Sequence, residues 1–254
     1  MTDSDRSTAT LDPNRITLWR SVGPDELDAV ASSGWRAWPP RPVVATVADR
    51  QLAVRICREQ TVPAEGAGHV IQFDVDRRFL DRFEVGQGTR RDEREYRIPA
   101  NAIADLNAHI IGAIEQESEY GGPVDDAEFA ETEEALGTPL PQAWRNYLQG
   151  RSWFRRGWMT SGAYVWLNTP REMLGLHEAW DEATGAHPGI AIIGGDGSRE
   201  QLVLDLRRDP APVLTVDIAS AGWDSGILQA DNVGQLIDRI ESGEFEFRFD
   251  DVPG

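Results

Sequence analysis

Cysteine is almost absent from this chain: Cys57 is the only one in 254 residues, so no disulfide can form within it. Lysine is missing altogether and all 25 basic residues are arginine, so Gly194-Gly195-Asp196-Gly197 has no lysine to make it a phosphate-binding P-loop and reads as a tight turn. No apolar run approaches the roughly 20 residues needed to span a bilayer. Met1 to Asp12 is polar and acidic, without the apolar stretch of a secretory signal. The four histidines, His69, His109, His177 and His187, are scattered and have no cysteine cluster beside them, so no metal site is expected. These absences predict a cytoplasmic protein with no membrane segment, no disulfide and no metal.

What is present describes a folded chain. With 40% hydrophobic residues and nine Trp, it has the apolar content for a packed core, and its length suffices for two ordinary domains. Charge divides unevenly. Residues 1 to 115 hold 15 Arg against 18 acids, net −3, whereas residues 116 to 254 hold 10 Arg against 25 acids, net −15. Nucleic-acid binding, which depends on cations neutralising phosphates, is not expected from such a chain. The acidic half suits capture of a basic partner, although acidity also serves solubility alone.

The pattern predicts an α+β fold in two domains: a tail at 1–13, a domain at 14–115, a linker at 116–123 where Glu115-Gln-Glu-Ser-Glu-Tyr-Gly-Gly-Pro123 turns polar, and a domain at 124–254. In the first, Ile16 to Trp19 reads as a strand, Asp25 to Ser33 and Ala48 to Gln60 as helices, and His69 to Asp76, Glu95 to Ile98 and Ile110 to Ile114 as strands. In the second, Asp125 and Asp126 are candidate caps of a helix that Gly137 ends, and Leu140-Pro141 opens another with Trp144, Tyr147 and Leu148 on its apolar face. Ala163 to Leu167, Ile190 to Ile193, Leu202 to Leu206 and Pro212 to Asp217 read as strands, Pro170 to Ala183 and Asp231 to Glu241 as helices, and Phe245 to Phe249 as a further edge strand.

Two stretches of the acidic half belong together in order and spacing: Ala127-Glu-Phe-Ala-Glu-Thr-Glu-Glu-Ala-Leu-Gly-Thr-Pro-Leu-Pro-Gln-Ala-Trp-Arg-Asn-Tyr-Leu148 and Gly189-Ile-Ala-Ile-Ile-Gly-Gly-Asp-Gly-Ser-Arg-Glu-Gln-Leu-Val-Leu-Asp-Leu206. They resemble the SMI1/KNR4 (SUKH) superfamily. The resemblance implies an antiparallel sheet flanked by helices and, as in the family's bacterial immunity proteins, binding of a protein partner such as a polymorphic toxin.

The first half carries Leu18-Trp-Arg-Ser-Val-Gly23, Gly34-Trp-Arg-Ala-Trp-Pro-Pro-Arg41 and Glu95-Tyr-Arg-Ile-Pro-Ala100. In this order they resemble small bacterial domains of the ADP-ribosyltransferase fold. The resemblance implies that Arg20 anchors the phosphates or ribose of NAD and that Glu95, with Glu93 beside it, stabilises charge developing on the nicotinamide ribose. Arginine offers a bidentate fork to anionic oxygens, and a carboxylate stabilises an oxocarbenium-like centre most in the transition state. Strand alternation places Glu93, Glu95 and Arg97 opposite Tyr96 and Ile98. The family's serine- and threonine-rich central strand corresponds here to Val43-Val-Ala-Thr-Val47, so an NAD-consuming domain and a domain without activity or cofactor both stand.

Ser152-Trp-Phe-Arg-Arg-Gly-Trp-Met159 has neither helical nor strand period and reads as a loop. Trp153, Arg155, Arg156 and Trp158 have the composition of a protein-interface hot spot, with core packing as the alternative for the tryptophans. The leading expectation is a SUKH immunity protein that binds a toxin; its rival is a transferase modifying a target that the SUKH domain recruits.

Overall fold

The computed structural model describes residues 14–87, 94–184, 189–217 and 226–249. Strand β1 (Arg15–Val22) leads to α1 (Pro24–Ser32), β2 (Val43–Val47), α2 (Arg50–Ile56), a π-helical turn at Cys57–Thr61, α3 (Val62–Glu65), β3 (Ala67–Asp76) and α4 (Arg77–Leu80). Then come β4 (Val85–Gln87), β5 (Arg94–Pro99), a 3-10 turn at Ala100–Ala102, α5 (Ile103–His109) and β6 (Ile110–Gly121). The remainder runs α6 (Asp126–Leu136), α7 (Gln142–Leu148), β7 (Trp153–Trp158), β8 (Tyr164–Leu167), α8 (Pro170–Thr184), β9 (Ile190–Gly195), β10 (Glu200–Asp205), β11 (Val213–Asp217), β12 (Ile227–Ala230) and α9 (Val233–Glu241).

The fold is α+β, built on antiparallel strand pairs with helices. The chain clusters into two compact units, one of residues up to Ile56 with Val70–Gln116, the other of Cys57–His69 with Glu117 onward. The chain passes between the units three times, once where α2 meets the π-helical turn and twice inside strands, β3 and β6. The expected linker at 116–123 is therefore strand as far as Gly121. Its acids alternate with other residues along an extended segment, a pattern that a strand and a polar linker share.

In the first unit the strands neighbour one another in the order β6-β3-β1-β2-β5-β4. Alternation places Leu18 and Val22 of β1, Val44 of β2, Phe73 of β3, and Tyr96 and Ile98 of β5 in one buried cluster with Trp38, Phe79 and Leu106. Trp38 meets Phe73 edge to face at 5.2 Å. Pro24 starts α1, where a missing N–H does no harm, and the Asp76 carboxylate caps α4 by accepting from the Arg78 amide. The single helix expected over Ala48 to Gln60 is interrupted by the π turn from Cys57 onward.

In the second unit the order is β12-β11-β10-β9-β8-β7-β6. Gly137 ends α6 in the left-handed conformation (φ 68°), and α7 follows Pro141. Phe129, Trp144 and Leu148 are buried as the helical spacing requires, and Leu140 is buried in the segment before α7. Asn232 caps α9, whose Val233, Leu236 and Ile240 face inward. The predicted terminal strand does not form. The Gln229 side chain instead bonds both the amide and the carbonyl of Arg248, so a side chain replaces the backbone ladder. Among the described residues no helix is long and apolar enough to cross a membrane.

Candidate functional site

Arg20 and Glu95 do not share a cleft. Trp19 of β1 pairs with Val47 of β2, which pairs with Glu95 of β5, so Trp19, Val47 and Glu95 form one cross-strand row. Directly paired residues project to the same face, and successive residues to opposite faces. Arg20 therefore lies on the face opposite Glu95, together with Leu18 and Val22. There it is engaged: its Nε and Nη2 donate to the two carboxylate oxygens of Glu26 at 3.0 and 3.1 Å, Nη1 donates to the Ala45 carbonyl, and the guanidinium lies 5.6 Å from the Trp38 ring centroid. Arg41 binds the same carboxylate. Glu95 is partly exposed and accepts from Arg97 Nε at 2.8 Å. Glu93 lies outside the described residues.

The expected loop at Ser152–Met159 is largely strand β7. A bulge in the β6–β7 ladder hides its period. Tyr120 pairs with Phe154 and Glu119 with Arg156, leaving Arg155 as the extra residue. Its consequence is chemical, because a bulge re-aims a side chain and both arginines converge on Glu119. Arg156 Nε lies 2.6 Å and Arg155 Nε 3.3 Å from that carboxylate, which is 5% exposed, and His69 Nδ1 stands 3.8 Å away. Arg155 also donates to Glu172 of α8 at 2.7 Å. Two carboxylates thus hold two guanidiniums, and Glu119 is a buried charge that its partners make tolerable.

Around this cluster the sheet carries three aromatic rings. Arg156 pairs with Trp166 and lies 4.8 Å from its ring centroid. Trp158 pairs with Tyr164, the rings edge to face at 5.2 Å, an arrangement worth about 0.5–1.5 kcal/mol beyond area burial. Trp158 is 52% exposed. Burial pushes the Tyr164 hydroxyl above its ordinary range, with Glu119 adding to this and Arg156 opposing it. Gly197, at φ 75°, sits where an added Cβ would lie 3.2 Å from the Tyr164 ring, so the β9–β10 turn packs directly on it.

Of the four interface candidates, Arg155, Arg156 and Trp158 thus flank one face. Trp153 is elsewhere: it is 1% exposed, and its indole donates to the Gly122 carbonyl at 2.7 Å. Tyr164, Trp166, Glu119 and Glu172 went unrecognised in the sequence. The signal for the first two was the short turn between two strands, closed by a Met159 amide to Ala163 carbonyl bond of 2.7 Å.

The unit also holds a groove of about 550 Å³ lined by Leu140, Pro141, Leu206, Pro210, Asn232 and Val233. Among the described residues no group of three or more His, Cys, Asp or Glu is placed to hold a metal ion. No protein-family model matches the chain, and no curated protein matches it.

Proposed function

We propose that this chain is a protein-binding protein whose second unit captures its partner on the sheet face around Trp158. The observation that carries the reading is a tryptophan left 52% exposed on a regular strand and braced edge to face by Tyr164. Burying such a ring on binding removes a large apolar area from water at little cost in side-chain order, which is why tryptophan dominates interface energetics. The SUKH resemblance of Ala127–Leu148 and Gly189–Leu206 supports the same reading and supplies its biological form, an immunity protein that binds and neutralises a bacterial toxin. In that form the first unit is an ADP-ribosyltransferase-like body without catalysis. Arg20 and Glu95 lie on opposite faces of their strands, and each is held by another side chain of the protein. This placement of Arg20 and Glu95 supports the binding reading over the transferase alternative.

The test is affinity capture from the native host with the full chain and with Trp158→Ala and Tyr164→Ala variants, read by mass spectrometry. The expected result is a small set of retained proteins that both variants lose while remaining folded by circular dichroism. Identical retention by all three would refute a partner site on this face. Nicotinamide release from NAD that requires Glu95 would establish the transferase reading instead.

A further inference from the structure

We infer that the Trp158 face accepts a cationic side chain, arginine or lysine, from a basic segment of the partner. This rests on the protein-binding reading above and specifies its chemistry. Ser118 of β6 pairs with Gly157 of β7, and Trp158 with Tyr164 of β8. One step along the register places Glu117 across from Trp158, so Glu117, Trp158 and Tyr164 form a row over three strands. The neighbouring row, Ser118, Gly157 and Val165, is buried, so the Glu117 row projects to the opposite face. Strands β6 and β7 approach so closely here that a Cβ on Gly157 would lie 2.6 Å from the Glu117 carbonyl oxygen. The carboxylate and the ring are thereby fixed on neighbouring strands.

The charges of the face select the sign of the partner. Arg155 and Arg156 are held by Glu119 and Glu172, and Arg156 already covers Trp166. Trp158 keeps half of its surface open in the same row as Glu117, one of whose carboxylate oxygens is buried, in a half of the chain with net charge −15. The face of an indole attracts a cation through its quadrupole, and a neighbouring carboxylate supplies the counter-charge. An acidic field of this size also raises the encounter rate with a basic segment.

The experiment uses the full chain labelled with ¹⁵N, the Trp158 indole signal being assigned by its loss in Trp158→Phe. A nona-arginine peptide is the probe and a nona-glutamate peptide its counterpart. The arginine peptide should shift the Trp158 indole, with affinity that falls as salt rises. Trp158→Ala should weaken binding about two- to thirtyfold, the span of a cation–π contact, and Glu117→Gln should weaken it as well. The glutamate peptide should leave the indole unmoved. An arginine peptide that does not shift this indole, or that binds both variants as it binds the parent, overturns the inference, as does a shift caused by the glutamate peptide. If host capture still yields a partner that depends on Trp158, only the cationic chemistry has failed. If it yields none, the binding reading itself has failed.

Discussion

Trp153 and Trp158 stand five residues apart in one strand, and replacing each by phenylalanine should give opposite results. Trp153 is 1% exposed, its indole N–H donates to the Gly122 carbonyl at 2.7 Å, and a Cβ on Gly121 would lie 2.7 Å from its ring. Phenylalanine removes the donor and leaves the part-buried Gly122 carbonyl without it, at about 1–3 kcal/mol. The smaller ring leaves space that so close a contact cannot collapse to fill, adding about 1 kcal/mol. Trp153→Phe should therefore destabilise by about 2–4 kcal/mol, a fall in Tm of roughly 5–15 °C for a protein of this size. Trp158→Phe, at a side chain that is 52% exposed, should stay within about 0.5 kcal/mol. Urea titration followed by circular dichroism separates the two, provided the slope m is unchanged. A neutral Trp153→Phe, or a Trp158→Phe that costs as much, would refute the assignment of one ring to the core and the other to the surface.

Gly157→Ala should lower the urea midpoint, because its Cβ would lie 2.6 Å from the Glu117 carbonyl oxygen and φ there is 154°; overpacking of this kind costs about 1–3 kcal/mol. Tyr147 is half-buried, its hydroxyl donating to Glu241 at 2.6 Å and accepting from the Phe154 amide, and desolvation followed by the Glu241 charge pushes its pKa well above the ordinary tyrosine value. Its folded value thus exceeds its unfolded one, so this contribution is fully present below about pH 10 and is lost as pH rises toward the folded value. Tyr147→Phe should flatten the alkaline limb of a stability profile above pH 10, and an unchanged limb would count against it. Glu200 has its pKa raised from 4.5, by burial first and then by Asp217 and Asp196. It therefore favours the fold when protonated and opposes it when ionised, and Glu200→Gln should raise Tm at pH 7, with the difference vanishing below pH 4.

Legibility in the sequence followed the regularity of the period. The alternating β3 and β5 sides, and the inward side of α9, could be read directly because one face is buried and the other wet. At β7 the same logic failed for local reasons: Trp153 and Phe154, on opposite faces, are both buried, and the bulge shifts the parity of everything after Arg155. The grouping of Cys57–His69 with the second unit had no local signal either. It depends on distant partners, namely the Arg58 guanidinium on the Glu241 carboxylate and the Ser152 carbonyl, and the Gly122 amide on the Gly66 carbonyl at 2.9 Å. No propensity within thirteen residues encodes a contact made nearly two hundred residues away.

The face of a strand residue is an all-or-none property, and both functional readings depend on it more than on residue type. An arginine and a glutamate on nearby strands are individually suited to binding NAD, yet a shift of one residue in register moves either to the other side of the sheet. Trp19, and not Arg20, shares the row of Val47 and Glu95, so the arginine points toward Trp38 and Glu26 instead of toward the glutamate. The same parity brings Glu117, Trp158 and Tyr164 into one row, and the bulge beside them confines both arginines to Glu119. Pairing register therefore separates Arg20 from Glu95 and gathers Glu117, Trp158 and Tyr164, the row on which the proposed partner site rests.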